Sequence, residues 1–353
     1  MKKNVAIFFI IFWYGVVGAQ IGGRYAYEFS GLPASSRLTS LGGHLISVMD
    51  GDVNLAMSNP ASLNSQMHNS ISFNHNFHMA GISNGHFAIG QYFDKLEITT
   101  HLGISYINYG QFTGADRFGN IRDNFTASEK MITFGASKNI NERISVGTNL
   151  KSIFSNLDIY NSFGVAVDLG LNYINSDEKL IISFVIKNLG GEISSYTADR
   201  KSAPLDIQMG ISKQLKYLPF RFSIIAHQLQ QWDIKYDDPA TRGSTDIFGN
   251  PIDVEQGVFA RELDNLFRHL IFNGEFLLGK NENFRLRFGY NHHRRKELSL
   301  SNFRSLAGFS LGFGIKVSKF RLDYGVGYHH LAGSANHLSI STNFDQFKKK
   351  VSL

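Results

Sequence analysis

The chain contains no cysteine at all. That single absence excludes disulfides, a thiol nucleophile, thiolate metal ligands and a lipid anchor on an N-terminal cysteine. Proline is scarce, with 6 in 353 residues, which suits a chain rich in strands because proline cannot donate to a sheet ladder. Past residue 20 there is no run of about 18 consecutive apolar residues, so the mature chain has no helix able to span a bilayer. Excess charge of one sign is lacking too. The formal net charge is +6, and Lys2 and Lys3 belong to the extreme N terminus. The remainder is too small and dispersed for nucleic-acid binding, and supports at most a weak attraction to anionic lipid headgroups.

What is abundant is aromatic and flexible: 30 Phe, 14 Tyr and 34 Gly. Aromatics suit strands and interfacial girdles, and glycine suits tight turns. The order Phe284, Arg285, Leu286, Arg287, Phe288, Gly289, Tyr290 puts apolar groups on one face of a strand and guanidinium groups on the other. The same alternation recurs from Phe320 to Tyr328, against Arg321 and Asp323, and from Phe163 to Tyr173, where Asp168 falls on the polar face. Soluble antiparallel sandwiches alternate as well, so the period alone does not decide between lipid and water outside.

The address and the loops decide it. Residues 1–19 read as a signal peptide: two lysines, an apolar stretch from Val5 to Val17, and a small-residue site at Val17-Gly18-Ala19 before Gln20. For an exported, membrane-integral chain without a spanning helix, only a closed barrel satisfies the backbone in hydrocarbon. A mean hydropathy of −0.13 fits a wall with one apolar and one polar face. Strands are expected near 69–78, 82–92, 96–109, 124–140, 144–155, 162–173, 180–188, 205–213, 220–229, 269–278, 284–292, 306–317, 319–329 and 337–344. Their links alternate between brief turns and mostly long loops, namely 110–123, 189–204, 230–268 and 293–305. Short periplasmic turns, long outer loops and an even strand number describe an outer-membrane barrel with both barrel ends periplasmic. The fold class is therefore an all-β transmembrane antiparallel barrel of about 14 strands over residues 69–344, followed by a basic tail, residues 345–353.

Residues 20–68 break the strand rhythm and are expected to form an N-terminal periplasmic plug or hatch. A lumen of roughly fourteen strands would otherwise be wide enough to leak. Asn59-Pro60 reads as a break after a short helix. A disordered tail is the alternative, against which stand Tyr25, Tyr27 and Phe29. In the longest loop, Trp232, Tyr236, Phe248, Phe259, Leu263 and Phe267 are candidate partner-binding residues, the last three with Leu266 on an amphipathic helix over 255–268. Their other reading is a loop folded over the barrel mouth. Arg294, Arg295 and Lys296 suit phosphate contacts, as lipopolysaccharide would supply, or a solvated loop.

No catalytic residue, metal or cofactor is expected. Gly308-Phe309-Ser310-Leu311-Gly312 matches a hydrolase nucleophile pattern, but sits in a strand instead of the required strand-to-helix turn. Histidines 292, 293, 329, 330 and 337 fall near outer strand ends, where a surface metal site competes with simple polar capping. Asp50, Asp52, Asp237 and Asp238 lack calcium-loop spacing.

Three tracts carry a family resemblance: residues 22–64 (GGRYAYEFSGLPASSRLTSLGGHLISVMDGDVNLAMSNPASLN), 106–110 (YINYG) and 220–238 (FRFSIIAHQLQQWDIKYDD). Over essentially the whole mature chain the protein resembles the PorQ-type outer-membrane proteins of the type IX secretion system. More distantly, Asn59-Pro60-Ala61 resembles the plug motif of the long-chain fatty-acid transporter group, with Ser62 where that group has glycine. The first resemblance implies a fourteen-stranded barrel with a hatch in a Gram-negative, Bacteroidetes-like outer membrane. It also implies a non-catalytic anchor for a surface protein partner. That partner belongs to an attachment complex, together with a sortase-like protease and a sister barrel, that joins cargo to lipopolysaccharide. The second implies a transporter of small hydrophobic compounds, which needs an apolar passage. The inward face expected here carries Arg285, Arg287, Arg321, Asp323 and Asp168, and so favours a sealed polar interior.

Overall fold

The computed structural model describes residues 23–235, 258–298, 305–330 and 333–348. The signal-peptide reading, Tyr236, Phe248, Asp237 and Asp238 lie outside the described residues. Fourteen strands follow one another: β1 (Ser70–Phe77), β2 (Ser83–Phe93), β3 (Ile98–Phe112), β4 (Phe125–Asn141), β5 (Ile144–Leu157), β6 (Tyr160–Asn175), β7 (Leu180–Ser194), β8 (Asp206–Gln214), β9 (Phe220–Ala226), β10 (Leu270–Leu278), β11 (Phe284–Asn291), β12 (Phe309–Val317), β13 (Phe320–His330) and β14 (Gly333–Asn343). Each pairs antiparallel with its sequence neighbours, and β1 pairs with β14, so the sheet closes with no edge. Closure satisfies the backbone throughout, the condition for a sheet in hydrocarbon.

Alternation sets which side faces out. In β11, Phe284, Leu286 and Phe288 are exposed while Arg285 and Arg287 are buried inward. In β12, Phe309, Leu311, Phe313, Ile315 and Val317 all face out, with Ser310 buried on the other side. A one-residue slip in register would drive the arginines into the apolar face, so the pattern itself fixes the register. This wide belt of exposed aromatics and leucines would be an aggregation surface in water, and is at rest only against lipid. None of the four described prolines lies within a strand. No helix among the described residues is long and apolar enough to cross a membrane.

Residues 23–69 fill the lumen. They form one short helix, α1 (Ser36–Ser40), and tight single turns at Glu28–Gly31, Val53–Met57, Pro60–Ser62 and Ser65–Met67. The main hydrophobic cluster of the protein lies inside this segment: Leu38, Leu41, Leu45, Val48, Leu55 and Leu63 pack together and against Ile107, Met131 and Ile153 of the wall. The disordered-tail alternative is thereby excluded. The plug spans the lumen from one rim to the other. Its first described residues meet the long-loop rim, where Lys201 Nζ donates to the Gly23 carbonyl (2.6 Å) and Arg24 to Gln231 (2.8 Å). It leaves at the opposite, short-turn rim, where Phe344 N donates to the Asn69 carbonyl (2.9 Å).

Two further helices cap the long-loop rim: α2 (Val258–Arg268) and α3 (His292–Leu298). The first is the helix expected over 255–268. The second occupies the start of a segment read as irregular loop, because His-His-Arg-Arg-Lys-Glu-Leu carries no apolar stripe to announce a helix.

Candidate functional site

Two features of this barrel bear on function: how the plug is fastened in the lumen, and what the long-loop rim presents. On the side facing β4–β8 the fastening is neutral. Asn59 is fully buried; its amide nitrogen donates to the Ile46 carbonyl (2.7 Å) and to Asn172 Oδ1 (2.7 Å), and its oxygen accepts from Ala61 N (2.9 Å). Pro60 then starts the next tight turn, where its missing N–H costs nothing. Ser145 Oγ donates to the Ala61 carbonyl (2.8 Å), and Asn149 Nδ2 to the Ala56 carbonyl (2.9 Å). The approach is so close that a Cβ on Gly147 would stand 2.5 Å from the Pro60 carbonyl carbon, and one on Gly170 would stand 2.2 Å from Asn59 Oδ1.

On the side facing β10–β13 the fastening is ionic. Arg37 of α1, 2 % exposed, binds Glu275 (2.9 Å), Asp50 (2.8 Å) and Asp52 (3.1 Å). Glu275 in turn holds Arg221 (2.6 Å) and Arg287 (3.2 Å), and Arg287 reaches Asp323 (2.6 Å). Burial alone would raise the pKa of the Asp50 carboxyl, but Arg37, Arg285 and Arg221 outweigh it and hold the group far below the carboxylate range. A second buried pair, Lys151 and Asp168 (2.8 Å), is part of the wall itself. The inward residues expected from the sequence, Arg285, Arg287, Arg321, Asp323 and Asp168, all line this interior. Two cavities, about 250 Å³ and about 120 Å³, open between plug and wall at the short-turn rim. Their walls are mostly hydroxyls, amides and charges, with Val53 and Ile71 at the smaller one, and not the predominantly apolar lining a hydrophobic ligand needs.

At the other rim, Phe259, Leu263, Leu266 and Phe267 lie on one face of α2 and are 80 %, 42 %, 42 % and 39 % exposed. Trp232 braces the base of this helix: its indole N–H donates to Glu262 (3.0 Å), its carbonyl accepts from Asn265 (2.6 Å), and its ring stacks on His269 (5.7 Å between centroids). Asp264 ties α2 to α3 through His292 (3.0 Å) and Lys296 (3.2 Å). Burial would raise its pKa, yet the hydrogen bonds from Arg268, His292 and Lys296 bring it well below the usual range.

Several sequence-based candidates settle differently. Arg294 turns inward against Gly43 of the plug, Arg295 binds the Ser305 carbonyl, and Lys296 is committed to Asp264, so the three do not form one free basic face. Ser310 sits in the extended run of β12, 2 % exposed, with no nucleophile elbow. The histidines do not converge. His337 is not at an outer end but in mid-strand, where its ring bonds Thr39 of the plug (2.9 Å); His329 bonds the Gly327 carbonyl (3.0 Å). No group of three or more metal-ligating side chains comes together among the described residues. What the sequence hid was the plug's sockets: Glu275, Arg221, Gly147 and Gly170. Their only signal was the inward phase of their strands.

No family model and no curated protein sequence matches the chain. Solved structures do. The CymD monoaromatic hydrocarbon channel superposes with a TM-score of 0.51 at 16% identity, over 90% of this chain and 98% of that one. The toluene transporter TodX of Pseudomonas putida superposes with a TM-score of 0.52 at 11% identity, over 88% of this chain and 96% of that one. At such identities the likeness concerns the fold alone: this chain shares with them a closed antiparallel barrel, here of fourteen strands.

Proposed function

We propose that this protein is a non-catalytic outer-membrane barrel of the type IX secretion system, a PorQ-type anchor that holds a surface protein partner of the attachment complex. The identity rests on the resemblance of residues 22–64, 106–110 and 220–238. The observation that carries the anchoring role is the lumen, which a plug cemented by buried ions on one side and buried amides on the other fills, with mainly polar and charged groups around the larger cavity beside it. A barrel closed in this way acts through its surface. The exposed apolar face of α2, braced by Trp232, supplies the aromatic and aliphatic anchors that interfaces use.

A second reading, a transporter of small hydrophobic compounds, is favoured by a different observation: the fold neighbours are hydrocarbon channels. Purification from native membranes separates the two. Anchoring predicts a surface protein held in fixed stoichiometry, together with the protease and sister barrel; transport predicts bound lipid or hydrocarbon alone. A Phe259→Asp, Leu263→Asp double variant sharpens the result. Its barrel should still fold, judged by heat-dependent gel mobility, while partner recovery falls at least tenfold, since two lost anchors of about 2 kcal/mol each exceed that factor. Undiminished partner recovery in the variant would remove α2 from the docking surface.

A further inference from the structure

The larger cavity at the short-turn rim holds more than the plug fastening, whose Arg37, Asp50, Asp52, Arg287 and Asp323 form part of its wall. It is lined by five cationic side chains against three carboxylates, so its surface carries an excess of positive charge. Counting Glu275, Glu282 and Arg221 just behind the lining leaves the balance positive. Two of the cations stand face to face: Lys316 of β12 is directly opposite Arg321 of β13, both on the inward side. Like charges directly opposite in a ladder repel, and among the described residues neither has an ion-pair partner. Arg321 spends one donor on the Glu282 carbonyl (3.4 Å) and nothing else.

Unused donors gather at the same place. Arg285 Nε, Arg287 Nη2 and Arg321 Nη1 are buried without any hydrogen-bond partner, although Arg285 and Arg287 are 9 % and 2 % exposed. Leaving a buried charged donor unmatched is costly, and three around one cavity, two on β11 and one on β13 across β12, are an arrangement that a multivalent acceptor would complete. The room left by Gly314 between these strands is taken by the Arg287–Asp323 pair, since Asp323 Oδ1 and Arg287 Nη2 stand 2.0 Å and 3.1 Å from where its Cβ would be.

We propose that this cavity binds a phosphate group, with Arg285, Arg287, Arg321 and Lys316 as its ligands. A phosphate has the charge, about −1.5 to −2, to offset the excess, and enough acceptor oxygens to engage donors arriving from three strands. The volume of about 250 Å³ admits inorganic phosphate or a phosphomonoester headgroup. The site stands apart from the α2 surface and is compatible with either reading of the barrel's role.

Calorimetric titration of the full-length, detergent-solubilised barrel with inorganic phosphate at constant ionic strength tests the assignment. Saturable binding is expected, weakened about tenfold or more in Arg321→Gln and again in Lys316→Gln, neither of which touches the Arg37–Glu275 fastening. A parallel titration with short-chain phosphatidic acid distinguishes the sources: binding of the lipid alone, with the same loss in Arg321→Gln, assigns the cavity to a headgroup. Acetate competing as well as phosphate overturns the ligand class. No saturable binding of either phosphate source, or binding undiminished in both folded variants, overturns the site.

Discussion

The plug meets the two halves of its barrel through opposite chemistries. Against β4–β8 it is held by neutral amides, backbone carbonyls and glycine-lined contact around Asn59; against β10–β13 it is held by a lattice of guanidinium and carboxylate groups around Glu275. The neutral side depends mainly on shape, with the buried His44 facing β8 as its titratable contact. The ionic side depends on completeness, because a buried ion network loses most when one member goes. Fastening one segment by both means gives a closed lumen in which neither shape nor charge alone decides whether the plug stays.

The ionic side should therefore fail most severely. Glu275 accepts from Arg37, Arg221 and Arg287 at once, so Glu275→Gln removes the one carboxylate that these three buried guanidinium groups share, leaving Arg37 on Asp50 and Asp52 and Arg287 on Asp323. A loss of about 3–5 kcal/mol in plug retention is expected. Limited proteolysis of the folded, detergent-solubilised barrel checks it: cleavage should appear within residues 35–55 while gel mobility still reports an intact barrel. Wild-type resistance in this variant would mean that the ion lattice contributes no more than the amides do.

Around Asn59 the neutral side should yield to size and not to charge. Gly147→Val places methyl groups where the Pro60 carbonyl now lies, an overpacking cost of about 1–3 kcal/mol. The same assay should then cut nearer residues 55–64, with the ionic side intact. Gly147→Ser gives the intermediate case, and an effect equal to that of valine would show that the turn at Pro60 yields without strain.

The same contrast explains what could be read in advance. Fourteen strands were legible because Phe-Arg-Leu-Arg-Phe in β11 or Phe-Arg-Leu-Asp-Tyr in β13 declares both faces within a few residues. β14 starts at Gly333 and not at 337, since Gly-Ser-Ala-Asn carries no large apolar group to mark an outward face. β7 continues to Ser194 through a register shift at Asn188, where a left-handed residue gives no periodic signal. Asn59-Pro60 announced a break in the chain because a turn is local chemistry, but not that the Asn59 amide would reach Asn172. The ionic fastening was invisible for the opposite reason: Arg37 and Glu275 are 238 residues apart, and only the closed barrel brings them together. Likewise nothing in Arg294-Arg295-Lys296 told that the first would face the plug and the last a carboxylate on α2.

The smallest expected effect turns intuition about acid around. An ionic fastening might be thought acid-labile, but Asp50 is held far below its ordinary value of 3.8, so its contribution is present at neutral pH and is lost only as pH falls below that value. The plug imidazole whose protonation burial opposes is His44, in the segment facing β8. Burial, opposed by Asp206 and aided by Lys187 and Arg294, lowers its pKa from 6.5 to about 4, while Gln208 contacts its ring (3.1 Å) and His227 stacks on it (5.2 Å). The folded plug holds this imidazole neutral, whereas the released segment binds a proton below about pH 6.5. Released plug therefore carries more protons between pH 6.5 and 4, and retention weakens as pH drops through that window. Hydrogen exchange at pH 7 and pH 5, corrected for intrinsic rates, should show residues 41–48 opening several-fold more at the lower pH, with residues 35–40 and 50–55 unchanged. His44→Gln should abolish the difference. If residues 50–55 open first instead, the ionic side is the acid-sensitive one, and the division of labour between the two walls is reversed.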